Sequence, residues 1–85
     1  MVEKKIVIGL SHGLHARPAA SFVKMATSFT SEIKLVKNDK NVNGKSIMGV
    51  MASAIAKGDE ITLIADGSDE EEALAALEKM LLEDE

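Results

Sequence analysis

Residues 32–43, EIKLVKNDKNVN, have the pattern of a β-hairpin near the middle of the chain. The first arm alternates apolar and polar residues, which places Ile33 and Leu35 on one face of a strand. The segment NDKN is rich in turn-forming residues, and KNVN returns as a short second arm. The hairpin predicts an antiparallel sheet, and the segments on either side of it must supply the remaining strands.

Two further segments are predicted to be strands. Residues 2–8, VEKKIVI, are rich in β-branched residues, and residues 60–65, EITLIA, form another alternating segment. Helices are predicted over residues 16–27, over residues 47–55, and after a capping box of Ser68 and Glu71. The order β-α-β-β-α-β-α predicts an α+β fold of two layers, in which helices cover one face of a four-stranded, mainly antiparallel sheet.

The apolar residues of the first and last helices recur at the three- and four-residue spacing of helices that bury one face. Pro18 lies in the first turn, where its missing N–H has no intrahelical partner, so the helix is predicted to start just before it with His15 as N-cap. The predicted core positions are Ala19, Phe22, Val23 and Ala26 in the first helix and Leu74, Leu77 and Leu81 in the last.

The second helix, which begins after Ser46, is apolar on more sides than a sheet can cover. Two interpretations stay open. The helix is wholly buried, or part of it is a docking patch in which flexible methionines suit partners of different shapes. In the second interpretation the residues that face the sheet are Val50, Ala54 and Ile55, and those left partly exposed are Ile47, Met48 and Met51.

Composition excludes several classes of protein. The 85 residues fit one domain, expected to span 1–85, and the absence of cysteine excludes disulfides and thiolate metal sites. The net charge of −4 and the two aromatic residues argue against a nucleic-acid partner. No apolar stretch approaches the roughly 20 residues that span a bilayer, and the N-terminus does not resemble a signal peptide, so a cytoplasmic protein without a membrane partner is expected.

The segment SHGLHARPAA, residues 11–20, carries the candidate chemistry. A helix start has free backbone N–H groups that favour anions and disfavour positive charge, so His15 is expected to be neutral and nucleophilic near neutral pH. A phosphoryl group on its imidazole would lie against those N–H groups, and Arg17 could pair with the phosphoryl oxygens. The plainer alternative makes His15 only an N-cap and Arg17 a surface charge. Two histidines without cysteine or a placed carboxylate are too few for a zinc site, so no metal is expected.

Taken together, GLHARPAA and GKSIMGVMA resemble the HPr family, the histidine-containing phosphocarriers of the bacterial phosphoenolpyruvate-dependent sugar phosphotransferase system. The resemblance extends over nearly the whole chain, including the AKGDEI turn and the acidic last helix. It implies an open-faced β-sandwich in which His15 accepts a phosphoryl group on Nδ1 from Enzyme I and passes it to enzyme IIA domains. His15 and Arg17 match the active-site pair of the family, and such a protein is a carrier rather than an enzyme and uses no cofactor.

Two polar residues near these motifs have more than one interpretation. The position of His12 more often holds a small polar residue in the family, so His12 either bonds or adds charge near the phosphoryl group, or is a tolerated loop residue. Ser46 is predicted to cap the second helix. The resemblance adds that HPr kinase/phosphorylase phosphorylates this serine and that the catabolite control protein binds the product, which is carbon catabolite regulation.

The resemblance also leaves an alternative function and suggests a binding surface. The alternative is a purely regulatory HPr-like module that acts through Ser46, and the presence of His15 argues against it. The protein is expected to be a monomer. Beside Arg17, the residues expected to contact partners are His12, Ala20, Lys24 and Thr27 together with Ile47, Met48 and Met51.

Overall fold

The computed structural model describes residues 1–9, 16–52 and 55–82, and for residues 16–18 it describes the backbone alone. Within these residues no helix is both long and apolar enough to cross a lipid bilayer. The order of elements agrees with the predicted β-α-β-β-α-β-α. The strands are β1 (Val2–Val7), β2 (Glu32–Lys37), β3 (Lys40–Asn43) and β4 (Glu60–Asp66), and the helices are α1 (Ala16–Thr27), α2 (Ile47–Ala52) and α3 (Glu70–Leu82).

The four strands form one antiparallel sheet in the order β1-β4-β2-β3. Strand β4 lies between β1 and β2, so Leu63 pairs with Lys4 on one side and with Leu35 on the other. Leu35 in turn pairs with Val42 across the hairpin. The predicted fold, a four-stranded antiparallel sheet with three helices on one face, is confirmed.

A two-residue turn closes the hairpin. Asn38 and Asp39 both have positive φ, 50° and 67°, between the paired residues Lys37 and Lys40. Two left-handed residues in succession match the right-handed twist of the flanking strands, and asparagine and aspartate tolerate this conformation better than most residues. Lys37 also forms a 2.8 Å ion pair with Asp59 in the loop before β4, which ties the end of β2 to that loop.

The core lies between the helices and one face of the sheet, because alternate residues of each strand point to that face. The other face is open to solvent, and across its centre run the paired residues Lys5, Thr62, Val36 and Asn41. The largest fully buried side chains are Phe22, Ile8, Ile33, Leu35, Ile61, Leu63, Leu77, Leu81 and Val50.

Helix α2 is shorter than predicted. Within the described residues it covers Ile47–Ala52, and Ile55, to which it was predicted to extend, is not helical, nor is Ala56. Ile55 is buried as expected, and Ala54 lies outside the described residues. The N–H of Ala56 donates to the carboxylate of Asp59 at 2.8 Å, and the N–H of Asp59 donates back to the carbonyl of Ala56 at 3.0 Å. A helix that continued would need the Ala56 N–H for its own ladder, so this turn stops it.

The predicted capping box of α3 is wrong. The hydroxyl of Ser68 lies 3.2 Å from Thr30 Oγ1 instead of capping the helix, and the box-like bond is made one residue earlier than expected. The N–H of Gly67 donates to Glu70 Oε1 at 3.2 Å, whereas the capping box predicted that the N–H of Ser68 would donate to the carboxylate of Glu71. The sequence pattern does not distinguish a serine that caps a helix from one that, like Ser68, bonds to a distant part of the chain.

At one position, the buried face of α3 contains a different residue from the one predicted. Ala73 is fully buried, whereas Leu74 only packs against the core from its edge. Leu77 and Leu81 are buried as predicted. The buried residues Ala73, Leu77 and Leu81 are therefore four positions apart and lie on one face of the helix.

A carboxylate clasp joins two turns that are distant in sequence. Asp69 accepts hydrogen bonds from the N–H groups of Thr30 and Ser31, both at 2.9 Å, and from the hydroxyl of Ser31. Gly67 makes this approach possible, because a Cβ there would lie 2.6 Å from Ser31 Cα. The hydrogen bonds from the Ser31 hydroxyl and the Thr30 N–H lower the pKa of Asp69 to about 2.

Replacement of Asp69 by asparagine is expected to destabilise the domain at neutral pH. A carboxylate whose pKa is lower in the folded state contributes stability above its unfolded pKa, and this contribution is lost as the pH falls from about 4 to about 2. Urea unfolding of both proteins between pH 7 and pH 2 should show a gap that closes over that range. A gap of constant size would mean that the clasp does not act through the ionised carboxylate.

Candidate functional site

The predicted phosphoryl site lies at the start of α1. This helix begins at Ala16, so His15 immediately precedes its first residue along the chain, where the sequence predicted an N-cap. His12, His15 and the side chain of Arg17 lie outside the described residues, and their roles stay predictions. The described residues on either side of residues 10–15 belong to the end of β1 with Ile8 and Gly9, and to the first turn of α1.

The chain is fixed on the sheet side of that segment. The N–H of Ile8 donates to Asp59 O and the N–H of Gly9 donates to Leu81 O, both at 2.9 Å. The second bond satisfies one of the carbonyls that the end of α3 would otherwise leave without a partner. A Cβ at Gly9 would collide with the backbone carbonyl of Leu82, so glycine permits this contact.

Helix α1 presents the predicted row of contact residues to solvent. Ala20, Lys24 and Thr27 are exposed, and Phe22 and Ala26 are fully buried on the opposite side. The hydroxyl of Thr27 donates to Lys24 O at 2.9 Å. Lys24 therefore lies on a face of α1 that the core does not use.

Ser46 caps α2, as predicted. Its hydroxyl accepts the N–H of Gly49 at 3.2 Å, and its carbonyl accepts the N–H of Val50 at 2.9 Å. Its own N–H donates to Asn43 O at 3.1 Å. Ser46 is half-buried, so its hydroxyl belongs to the helix cap and also lies at the surface of the molecule.

A lysine that the sequence analysis did not single out holds α2 near α1. The ammonium of Lys45 donates to Phe29 O at 2.8 Å, which joins the residue before Ser46 to the segment that follows α1. The N–H of Lys45 also donates to Asn43 Oδ1 at 2.9 Å. No local pattern signals the Phe29 contact, because the two residues lie 16 positions apart and the acceptor is a backbone carbonyl.

The exposed surface of α2 is apolar. Ile47, Met48 and Met51 are 43%, 80% and 45% exposed, whereas Val50 is fully buried against the core. The interpretation of a wholly buried helix is therefore wrong, and the expected partial exposure of these three residues is confirmed. We call Ile47, Met48 and Met51 the apolar patch; because α2 packs against α1, the patch and the exposed row of α1 lie on two contacting helices.

The described residues contain no candidate metal site. In the part of the chain that the structure describes, no group of histidine, cysteine, aspartate or glutamate side chains is arranged to hold a metal ion. The described features near this helix start are the capping serine, Ser46, and the apolar patch on α2, the helix that packs against α1.

Comparison with known proteins agrees with this description. Residues 2–83 match a family model described as the PTS HPr component phosphorylation site. The HPr-like protein Crh of Halalkalibacterium halodurans is 57% identical over 77 residues, which cover 91% of this chain and 92% of that protein.

Two solved structures, one of an HPr and one of a Crh protein, are similar to this chain. The phosphocarrier protein HPr from Bacillus anthracis superposes with a TM-score of 0.92 at 49% identity, over 94% of this chain and 95% of that chain. Crh from Bacillus subtilis, described as a dimer with a swapped domain, has a TM-score of 0.77 at 52% identity, over 95% of this chain and 93% of that chain. By sequence and by fold, this chain belongs to the HPr family of the phosphotransferase system.

Proposed function

We propose that this protein is a phosphocarrier that accepts a phosphoryl group on His15 from Enzyme I, charged by phosphoenolpyruvate, and passes it to enzyme IIA domains of sugar transporters. The observation that supports this most is the sequence His-Ala-Arg at the start of α1, which supplies a nucleophile and a cation within three residues. The protein acts in the cytoplasm as a substrate of other enzymes. It catalyses no reaction of its own and needs no cofactor.

The chemistry requires little from the carrier itself. A neutral imidazole nitrogen of His15 attacks phosphorus, the N–P bond forms, and the bond from phosphorus to the donor breaks. The free N–H groups at the start of the 12-residue helix α1 and the guanidinium of Arg17 stabilise the charge on the phosphoryl oxygens. The same arrangement holds the group until a nucleophile on the acceptor reverses the step.

Docking uses the surface formed by the two helices. The apolar patch on α2 supplies a hydrophobic centre, and Arg17 and Lys24 on α1 supply positive charge. Ala20 lies between these two along the helix, and Thr27 follows Lys24 by one turn. Such a surface complements a partner that has an apolar pocket and an acidic rim. His12 lies in the segment before α1 and is assigned to the same surface.

A second function, regulation through Ser46, is favoured by the close similarity to Crh. Phosphorylation by HPr kinase/phosphorylase would add a dianion beside the apolar patch, and the catabolite control protein would bind that form. A purely regulatory module would not need the pair of His15 and Arg17. The carrier is therefore the first proposal, and regulation is added to it.

Solved structures of HPr and of Crh relatives both include dimers. A monomer is expected here, because a carrier must present one face alternately to a donor and an acceptor. The swapped dimer of Bacillus subtilis Crh makes a dimer the second candidate for this chain. Light scattering during gel filtration distinguishes the two.

Replacement of His15 by alanine is expected to abolish phosphoryl acceptance from Enzyme I without unfolding the domain. The measurement is intact mass after incubation with phosphoenolpyruvate and Enzyme I, before and after mild acid, since phosphohistidine is lost in acid and phosphoserine survives. His12→Ala removes the other histidine of the chain and should still gain the acid-labile group, even if binding of Enzyme I is weaker. An acid-labile phosphoryl group on the His15 variant would place the site elsewhere.

Replacement of Ser46 by aspartate is expected to slow transfer from Enzyme I about tenfold at low salt. Aspartate caps a helix as well as serine does, so the fold should persist while the added charge opposes an acidic partner surface. Added salt should reduce the effect, because exposed charges are screened beyond about 8–10 Å near physiological ionic strength. Ser46→Asn caps without charge, and equal impairment of this variant would show that cap geometry rather than charge is responsible.

Replacement of Gly49 by alanine is expected to stabilise the domain by about 0.5–1 kcal/mol, the usual cost of glycine within a helix. The new Cβ would lie 3.4 Å from Ser46 Oγ and 3.7 Å from Val42 Cγ1, which are ordinary contacts. Because the methyl group would stand beside the hydroxyl, phosphorylation of Ser46 by the kinase should fall. Urea unfolding and kinase assays test the two effects separately; unchanged phosphorylation would show that the kinase does not need this space.

A further inference from the structure

The five methionines of this protein occupy two kinds of environment. Met48 and Met51 are 80% and 45% exposed on α2, and Met1 is 73% exposed beside Asp66 and Glu70. Met25 and Met80 are half-buried and pack against the hydrophobic core. The chain has no cysteine, so methionine sulfur is its only readily oxidised sulfur.

We propose that Met48 and Met51 form an oxidation site through which peroxides weaken the docking of partner proteins. The thioether sulfur attacks one oxygen of hydrogen peroxide, an S–O bond forms, the O–O bond breaks, and water leaves. Sulfur is oxidised by two electrons and the peroxide is reduced by two. Access of peroxide to sulfur limits this reaction in a folded protein, so the two exposed methionines of α2 react before Met25 and Met80.

The site is separate from what stabilises the helix. Val50 provides the fully buried side chain of α2, and Ser46 caps its first turn through the N–H of Gly49. Neither Met48 nor Met51 belongs to the hydrophobic core. Oxidation therefore changes the surface of the helix and leaves its cap and its packing in place.

The change affects the part of the surface that a partner would cover. A sulfoxide is polar and chiral, and its oxygen must lose water when an apolar pocket closes over it. Two of the three side chains of the apolar patch are methionines, so oxidation alters most of the patch. This inference rests on the proposed function, in which the apolar patch contacts Enzyme I.

The first measurement is where oxygen is added. The full-length protein is treated with increasing concentrations of hydrogen peroxide, and catalase then removes the peroxide. The masses of its proteolytic peptides are measured by mass spectrometry. Met48 and Met1 should gain 16 mass units at the lowest doses, Met51 next, and Met25 and Met80 only at doses that unfold the protein. Oxidation of Met25 or Met80 ahead of Met48 and Met51 in folded protein would overturn the proposal.

The second measurement is the rate of phosphoryl transfer from Enzyme I, which is added only after peroxide has been removed. Oxidation of Met48 and Met51 should slow transfer about tenfold at limiting carrier concentration, the loss typical of one disrupted interface anchor. The control is Met48→Leu/Met51→Leu, which keeps Met1, Met25 and Met80. Each protein is compared with its own untreated sample, and treatment should not change the rate of the double variant. Incubation with methionine sulfoxide reductases should restore the rate of the oxidised wild type.

A third variant separates failure of this proposal from failure of the docking surface. If Met51→Ala slows transfer and oxidation of the wild type does not, docking uses the patch and the oxidation proposal is wrong. If neither change affects transfer, the patch does not contact Enzyme I, and both proposals about the patch fail. Equal slowing of the double leucine variant by peroxide would assign the effect to another residue and would also overturn the proposal.

Discussion

The fold depends on the insertion of β4 between β1 and β2. Strand β1 and the β2–β3 hairpin cannot form one sheet until β4 lies between them, because Leu63 pairs with Lys4 on one side and with Leu35 on the other. Contacts that join distant parts of a chain cost loop-closure entropy before they contribute stability, so cooperative folding is expected. Because β4 is antiparallel to both of its neighbours, β1 and β2 run parallel to each other. Helix α1 connects them, so its start lies at the edge of the sheet where β1 ends.

Features that depend on near neighbours in the sequence were predictable. The hairpin followed from alternation and from a turn made of Asn38 and Asp39, and the bounds of α1 followed from its apolar spacing and from Pro18. The early end of α2 did not, because it depends on the capture of a backbone N–H by the side chain of Asp59. The start of α3 was misplaced for a similar reason, since Ser68 and Asp69 bond to residues almost 40 positions away.

The candidate site divides in the same way. Ser46 was predictable as a cap, because capping is a relation between a hydroxyl and an N–H three residues later. The exposure of Met48 was one of two open interpretations, since sequence does not show how much of an apolar helix a small sheet can cover. The bond from Lys45 to Phe29 O had no signal at all, although it helps to hold the capped helix beside α1. A cap between near neighbours was thus easier to predict than the contacts that arrange the surface around it.

The sheet leaves one face uncovered, and the proposed contacts on α1 and α2 belong to helices that cover the opposite face. The protein therefore has a reverse side, on which Lys5 is exposed in the row that also contains Thr62 and Asn41. Because the chain contains no cysteine, a single Lys5→Cys substitution would give a unique thiol for a dye or a tether. A molecule immobilised through that thiol would be oriented with both helices toward the solution, so encounters with donors and acceptors could be followed one carrier at a time.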